Sequence, residues 1–226
     1  MSRARAVLDL LLPPRCAGCG APGSPCCPRC RAQLADLAPV SHRWLGSAAA
    51  ATEWYSLASY RGVARTLVLA YKERGRRDLA PALGHALADG CAAFAPACQA
   101  PDGTVWLVPI PSRRSASRMR GGPHMLRLAR HCARMLAGRG YRVAVAPALS
   151  LASGAKDQVG LDRSERSANL AGRVRVVRAG APPPGTPVVL LDDVLTTGAT
   201  AEACITALRG AGLAVAAVLA LTSPGR

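Results

Sequence analysis

The segment Val188–Thr200 constrains the fold of this chain more than any other segment, because it reads as a buried strand followed by a tight turn. The four consecutive apolar residues Val188–Leu191 suit a fully buried strand. Two adjacent aspartates come next, and Thr196–Thr200 then carries hydroxyl groups and little bulk. Residues Ala201–Arg209 are good helix formers without Pro or Gly. This order predicts an anion site at a strand–turn–helix junction in an open α/β sheet.

The residues at this junction suit a ribose 5-phosphate. Backbone N–H groups at the start of a helix lack helical acceptors and can bind phosphate, and threonine hydroxyls add hydrogen bonds. Asp192 and Asp193 would repel a phosphate, but their oxygens accept hydrogen bonds from vicinal hydroxyls. The alternative is an apolar strand with an accidental acidic turn, which is disfavoured because adjacent buried like charges need a ligand or partner. The predicted ligand contacts are Asp192, Asp193, Thr196, Thr197, Gly198, Ala199 and Thr200.

This segment resembles the phosphoribosyl-pyrophosphate (PRPP) motif of type I phosphoribosyltransferases. In that family the paired acids hold the ribose 2- and 3-hydroxyls, and the following loop holds the 5-phosphate. The resemblance therefore implies PRPP as the ligand and magnesium bound with it. It also implies phosphoribosyl transfer, in which a nucleophile displaces pyrophosphate from the anomeric carbon.

Two Cys-x-x-Cys pairs near the N-terminus predict a structural zinc site. Cys16 and Cys19 form one pair, Cys27 and Cys30 form the other, and together they can complete a tetrahedral four-cysteine site. Cys26 could replace Cys27, although Cys27 keeps the spacing. A redox dithiol is the other interpretation, and disulfides are disfavoured in the reduced cytoplasm where we expect the protein.

Positive charge is concentrated in one part of the chain. The formal net charge is +16, and ten basic residues and no acid lie between Asp102 and Asp157. A field of one sign attracts polyanions, pyrophosphate locally and nucleic acid more broadly. For Arg127–Arg142 a solvated helix face with compositional arginine bias is an equal alternative, whereas for Arg113–Arg120 we favour function.

Alternating strands and helices predict an α/β fold with a mainly parallel sheet flanked by helices. The expected strands are Trp54–Tyr60, Thr104–Pro109, Val143–Leu149, Val174–Val177, Val188–Leu191 and Ala214–Leu221. The expected helices are an N-terminal helix ending at Pro13-Pro14, Gly62–Tyr71, a helix capped by Asp78 and running toward Ala97, Pro123–Leu136, Ser164–Leu170 and Ala201–Arg209. Ligands in such sheets bind beyond the carboxyl ends of the strands, so the loops after Pro109 and Leu191 are expected to share one cleft.

The chain is expected to divide into two domains. Residues 1–40 form a helix and zinc-binding module, residues 41–52 read as a linker, and residues 53–226 form a domain with the type I phosphoribosyltransferase fold that the resemblance implies. The apolar stretches are of strand length, so we expect no membrane span and a cytoplasmic location.

The order of motifs along nearly the whole chain resembles the competence protein F (ComF) family. The cysteine pairs, Tyr71–Gly75, Val108–Pro111 followed by arginines, and the PRPP motif occur in that order. A stretch from Lys156 to Gly172 also matches, but the chain has Gly121-Gly122-Pro123-His124 where the family usually has Gly-Phe-Asn-Gln. The resemblance implies a link to DNA uptake, with PRPP and the uptake machinery as partners.

Charge suggests which residues would hold the departing pyrophosphate. The candidates are Lys72, Ser112, Arg113 and Arg114. For Lys72, a solvated lysine at a helix end is an equal alternative. Purine-salvage members of the type I phosphoribosyltransferases carry an acid at the position of Thr196. A threonine there weighs against 6-oxopurine salvage as the function of this chain.

Two hypotheses of different kinds follow. The first is a zinc-containing phosphoribosyltransferase whose acceptor and catalytic residues are not identified. The second is a non-catalytic, PRPP-responsive module that binds single-stranded DNA or other nucleic acid through its basic face. Release of pyrophosphate would distinguish the first from the second.

Overall fold

A computed structural model gives the architecture and describes residues 14–40, 52–111, 122–152 and 173–224. The strands are β1 (Ala38–Pro39), β2 (Glu53–Ser56), β3 (Thr104–Pro109), β4 (Arg142–Val145), β5 (Leu149–Leu151), β6 (Val174–Val176), β7 (Pro187–Val194) and β8 (Ala214–Thr222). The α-helices are α1 (Pro28–Arg31), α2 (Gly62–Glu73), α3 (Ala80–Ala92), α4 (His124–Ala137) and α5 (Ala199–Gly210). Short 3₁₀ turns lie at Ala32–Leu34, Arg77–Leu79, Ala95–Cys98 and Arg178–Gly180.

Six strands form one sheet in the order β1-β2-β8-β7-β3-β4. Only the edge pair β1–β2 is antiparallel among these described strands, and every other neighbouring pair is parallel. Strands β5 and β6 form a separate antiparallel pair. The expected α/β class with a mostly parallel central sheet is therefore confirmed.

The connections that leave the two central strands run in opposite directions. Strand β3 leads through α4 to β4 on one side, and β7 leads through α5 to β8 on the other. Pro109 pairs with Leu191, and the N–H of Ile110 donates to the carbonyl of Leu191 at 2.9 Å, so both loops start at one edge of the sheet. Such a switch point opens a crevice beyond the carboxyl ends of the strands, where open α/β sheets bind ligands.

Helices cover both faces of the sheet and make two hydrophobic cores. Helices α2, α3 and α4 lie on one face, where Leu107 and Leu191 are buried among them. Helix α5 and the β5–β6 pair cover the other face, where Val108 and Leu190 are buried. Because successive strand residues point to opposite faces and both faces are covered, the central strands are continuously apolar.

The N-terminal cysteine segment packs on the first of these cores. Cys16, Cys30 and Leu34 are buried in the same cluster as residues of α2 and α3. The guanidinium of Arg76, just after α2, donates to the carbonyl of Arg15 at 2.9 Å. The segment is thus held against α2 by both apolar and polar contacts.

The helix expected to run from Asp78 toward Ala97 is interrupted, and Asp78 does not cap it. Helix α3 follows the 3₁₀ turn Arg77–Leu79, and no side-chain cap bonds its first turn. The carboxylate of Asp78 instead accepts hydrogen bonds from the guanidinium of Arg76 at 2.9 to 3.1 Å. An ion pair two residues away therefore outcompetes the capping interaction.

The strand expected over Val143–Leu149 is also divided. Strand β4 ends at Val145, and β5 begins at Leu149 in the separate two-stranded sheet. Pro147 lies between them and cannot donate to a strand ladder, which explains the break. The expected strand from Trp54 to Tyr60 is likewise limited to Glu53–Ser56.

Three expectations lie outside the described residues. They are the N-terminal helix ending at Pro13-Pro14, most of the linker at 41–52, and the helix Ser164–Leu170. In the parts of the chain that the structure describes, no helix has both the length and the apolar character needed to cross a membrane.

Close packing between α3 and α4 at Gly84 gives a stability prediction. A methyl group on Gly84 would collide with the Cβ of His131, and the backbone of Cys132 would lie 3.2 Å away. We expect Gly84→Ala to lower the free energy of unfolding by about 1–3 kcal/mol, since the helices must separate. Chemical denaturation monitored by circular dichroism measures this.

Gly210→Ala is the matched control for this prediction. Gly210 ends α5, and no atom lies within 4 Å of a Cβ placed there. Alanine has the higher helix propensity, so this change is expected to be neutral or stabilising by up to about 1 kcal/mol. Equal destabilisation by the two substitutions would contradict the packing argument.

Candidate functional site

The acid pair lies at the end of β7, at the switch point of the sheet. Asp192 and Asp193 belong to the strand, which runs to Val194, three residues beyond the apolar run that the sequence indicates. Both side chains are buried, with 9% of Asp192 and 3% of Asp193 exposed. Because successive residues of a strand point to opposite faces, the two carboxylates face different layers of the fold.

Asp193 faces α2 and α4 and is held by one basic side chain from each helix. The ammonium of Lys72 lies 2.8 Å from Oδ1, and the Nε2 atom of His124 lies 2.7 Å from Oδ2. Burial acts to raise the pKa of Asp193, but the hydrogen bond from His124 and the charge of Lys72 outweigh it. The pKa therefore lies below its usual value.

Asp192 has the opposite electrostatic character. Its Oδ1 accepts a hydrogen bond from the backbone N–H of Asp193 at 2.8 Å. Burial raises the pKa of Asp192 to about 7, and the negative charge of Asp193 adds to the rise. Burial, and after it the charge of Asp192, raises the pKa of the Cys204 thiol. Because Cys204 belongs to α5, Asp192 lies on the side of the sheet that α5 covers. The pair thus combines Asp193, which is ionised at neutral pH, with Asp192, which titrates near pH 7.

The turn after β7 positions the start of α5. The N–H of Leu195 donates to the carbonyl of Thr222 in β8, and Gly198 precedes the helix with a φ of 74°. A side chain at this φ would be strained, so glycine allows the helix to begin directly. Helix α5 starts at Ala199, two residues before the expected Ala201, so its unsatisfied N–H groups lie within the predicted loop.

The threonines of this loop differ in their surroundings. Thr196 is exposed, whereas Thr197 and Thr200 are half-buried. The hydroxyl of Thr197 accepts a weak hydrogen bond from the N–H of Ala199 at 3.4 Å. The hydroxyls and the first amides of α5 thus lie together in the segment for which the sequence predicts phosphate binding.

Of the predicted pyrophosphate contacts, Lys72 alone lies among the described residues. It occupies the last turn of α2, and its side chain is 30% exposed although it reaches Asp193. The structure therefore brings Lys72 to the acid pair rather than leaving it solvated at a helix end. Ser112, Arg113 and Arg114 lie outside the described residues, as does the whole stretch from Lys156 to Gly172.

His124 is the site residue that sequence reasoning did not identify. It is the first residue of α4, it is 5% exposed, and its carbonyl accepts a hydrogen bond from the hydroxyl of Tyr71 at 2.9 Å. The sequence signal was limited to a departure from the family pattern at this position. Its partner is remote in sequence, so the contact with Asp193 emerges only when α4 and β7 are placed together.

The four predicted metal ligands come together. The Sγ atoms of Cys16, Cys19, Cys27 and Cys30 all lie within 4.8 Å of one another. Those of Cys19 and Cys27 are 3.7 Å apart. A zinc tetrahedron with bonds of about 2.3 Å has corners about 3.8 Å apart, so this group is positioned to bind a metal ion and is consistent with structural zinc.

Two further contacts support this ligand set. The N–H of Cys27 points at the Sγ atom of Cys16 at 3.3 Å, as backbone amides do toward thiolates at metal sites. A Cβ on Gly18 would lie 2.8 Å from the Sγ atom of Cys30, so glycine is required for the first turn to close on the group. Cys26 is not a member of the group, which favours Cys27 over Cys26 as the third ligand along the chain.

The remaining cysteines occupy the hydrophobic cores. Cys91, Cys98, Cys132 and Cys204 are all buried. Burial raises the pKa of Cys98, so its thiol is neutral at physiological pH.

Part of the acid-free stretch forms a basic stripe on α4. Arg127, Arg130 and Arg134 follow one another at intervals of three and four residues, so they lie on one side of the helix. Arg130 and Arg134 are exposed, and Arg127 is half-buried. The stripe begins at the turn of α4 that carries His124.

An apolar cavity of about 160 Å³ lies beyond the end of β3. Ile110, Leu126 and Leu151 contribute to its lining, which contains no charged side chain. It is chemically distinct from the polar group at Asp193.

Comparison of the chain with protein-family models and with curated proteins gives no match.

The metal site gives a prediction that separates Cys26 from Cys27. We expect about one equivalent of zinc per chain in protein purified under reducing, chelator-free conditions, as one four-thiolate site implies. Cys27→Ser is expected to lose most of this metal because it removes a thiolate from the group. Metal analysis by plasma mass spectrometry measures the ratio.

Cys26→Ser is the matched control, since it changes the adjacent thiol and leaves the group intact. It should keep the zinc content of the unaltered protein. Loss of zinc in Cys26→Ser together with its retention in Cys27→Ser would reassign the ligand.

Proposed function

We propose that this protein binds PRPP at the carboxyl end of β7 and belongs mechanistically with the type I phosphoribosyltransferases. One observation carries the proposal. An acid pair ends the central strand β7, and the glycine-started helix α5 follows it directly at the switch point of a parallel sheet. The first feature suits ribose hydroxyls, and the second suits a phosphate.

The 5-phosphate is assigned to the turn and the first residues of α5. The first amides of α5 have no helical acceptor, and the helix dipole favours an anion there. Thr196, Thr197 and Thr200 supply hydroxyls around this position, and Gly198 and Ala199 leave room for close approach. A phosphate in this place requires no side-chain cation.

The ribose is assigned to the acid pair, and the pyrophosphate to the neighbouring basic groups. Ionised Asp193 accepts hydrogen bonds on both oxygens. Asp192, whose pKa is raised to about 7, can do the same once it is deprotonated. Lys72 is within reach of the same carboxylate and can turn to an anion beside it. Arg113, Arg114 and Ser112 remain predicted contacts from the loop after β3, and magnesium bound to the pyrophosphate would neutralise its charge.

The reaction assigned to this arrangement is displacement at the anomeric carbon. The bond from that carbon to pyrophosphate breaks as a nucleophile attacks, and positive charge develops on the ribose ring. Buried carboxylates on the ribose side stabilise such charge more strongly than they would in water. The acceptor that supplies the nucleophile is not assigned.

Zinc at the four cysteines is assigned a structural role. The group has four protein thiolates and so leaves no open coordination position for a substrate. The segment that carries the group packs against α2, the helix that carries Lys72.

The second candidate is a PRPP-responsive protein that binds nucleic acid without catalysis. The observation that favours it is the basic stripe Arg127, Arg130 and Arg134 on α4, beside the polar group at Asp193. A phosphate backbone along this helix would meet positive charge over two turns. The resemblance to the competence protein F family, with its link to DNA uptake and cytoplasmic setting, agrees with either candidate.

The acid pair gives the binding prediction. We expect Asp192→Asn and Asp193→Asn each to weaken PRPP binding by roughly 1–3 kcal/mol, the scale of a lost charge-assisted hydrogen bond. Isothermal titration calorimetry with magnesium and PRPP measures the affinity. Asp89→Asn is the matched control, because Asp89 lies on α3 and pairs with Arg139 instead.

Unchanged PRPP affinity in the Asp192→Asn, Asp193→Asn double variant would refute the ribose assignment. Release of pyrophosphate on incubation with PRPP, magnesium and a panel of bases, amines and nucleic acids would favour the transferase. PRPP binding without any release would favour the non-catalytic candidate.

A further inference from the structure

Three elements that are distant in sequence converge on the carboxylate of Asp193. Lys72 comes from the last turn of α2, His124 from the first turn of α4, and Asp193 from the end of β7. Each carboxylate oxygen has one of the two basic groups as its partner, at 2.8 Å and 2.7 Å. The hydroxyl of Tyr71, next to Lys72 in α2, bonds the carbonyl of His124 and so ties the two helices together.

The protonation of this group follows from its chemistry. An ionised carboxylate can only accept hydrogen bonds, so the Nε2 atom of His124 carries a hydrogen and its N–H donates a hydrogen bond to Oδ2. This leaves the Nδ1 atom, which is buried and has no hydrogen-bond partner within the described ranges. A buried polar atom without a partner destabilises the fold, so the imidazole is not explained by packing alone.

The contact with Asp193 supplies the missing explanation. Asp193 is 3% exposed and lies next to a second carboxylate, and both conditions favour the neutral acid. Lys72 is partly exposed on a flexible stem, whereas His124 is buried and rigidly placed at the start of a helix. The imidazole is therefore the fixed donor that defines where the carboxylate points.

We propose that His124 is a positioning residue of the ligand site, which keeps Asp193 ionised and oriented to accept hydrogen bonds from the ligand's hydroxyls. The inference rests on the proposed function for the identity of that ligand, a ribose phosphate. The His124–Asp193 contact itself does not depend on which ligand binds.

The charges around Asp193 determine what happens without the imidazole. Lys72 and Tyr71 face it from α2, His124 is bonded to it from α4, with Arg127 beyond Tyr71, and Asp192 is its neighbour in β7. Without His124, burial and Asp192 act against the charge of Lys72. The pKa of Asp193 is then expected to rise relative to that in the unaltered protein.

The experiment compares His124→Leu with His124→Gln in the full-length, zinc-loaded protein. Leucine fills the space without a donor, whereas the Nε2 amide of glutamine places a donor at a comparable reach. Ribose 5-phosphate affinity is measured by calorimetry from about pH 6 to 9, so that a raised pKa of Asp193 in the leucine variant appears as a dependence of affinity on pH. Carbon-13 NMR of labelled aspartates follows the titration of Asp193 without ligand.

We expect His124→Leu to bind ribose 5-phosphate about tenfold more weakly at pH 7 and to recover toward pH 9, as Asp193 loses its proton. His124→Gln should stay within about threefold of the unaltered protein at each pH, because one charge-assisted donor is kept. His131→Leu, seven residues further along α4, is the control and should change neither affinity nor titration.

Each result bears on a separate claim. An Asp193 titration in His124→Leu that matches the unaltered protein would overturn the role of His124, whatever the ligand. Equal loss of affinity in the leucine and glutamine variants, constant over pH, would overturn it in favour of a packing role. Failure of the unaltered protein to bind ribose 5-phosphate or PRPP would refute the proposed function, while the titration would still decide whether His124 controls Asp193.

Discussion

A carboxylate buried at the end of a central strand must be paired or lose its charge, and this constraint determines which side chains surround the carboxyl end of β7. Asp193 is paired by Lys72 and His124, which come from two different helices. Both helices lie on the same face of the sheet and share a core with Leu107 and Leu191. Apolar packing therefore brings the two basic groups to Asp193, and the charge of Lys72 together with the hydrogen bond from His124 makes its burial tolerable.

The cysteine segment contributes to the same arrangement through α2. A Cβ on Gly18 would lie 3.0 Å from the side chain of Val63, so the first turn of α2 packs directly on the metal-binding group. The last turn of that helix carries Lys72. A metal ion that orders the cysteine segment would thus stabilise the helix that supplies one partner of Asp193.

Patterns that are local in sequence predicted most of the fold and part of the site. The apolar run before Asp192 and the small residues after it predicted the strand, the turn and the helix, because each kind of element has a characteristic spacing of apolar residues in the sequence. The spacing of Cys16, Cys19, Cys27 and Cys30 predicted a group that the fold brings within 4.8 Å. These signals need no information about distant residues.

Competing interactions, some local and some between distant residues, account for the parts of the structure that the sequence did not reveal. The role of Asp78 depends on the competing charge of Arg76, and the strand is divided after Val145 because Pro147 cannot donate to a strand ladder. His124 belongs to no recognisable sequence motif. Its role depends on the hydrogen bond to Asp193, which lies 69 positions further along the chain. Nothing local in the sequence indicates that pairing.

The central claim is that a ribose phosphate binds where β7 meets α5. The most direct test is amide NMR of the nitrogen-15-labelled protein during titration with ribose 5-phosphate. The account predicts shifts concentrated at Thr197–Ala201 and at Asp192 and Asp193, with the amides of Cys16–Cys30 nearly unchanged. Absence of shifts at Thr197–Ala201 at saturating ligand, or shifts confined to the stripe on α4, would contradict it.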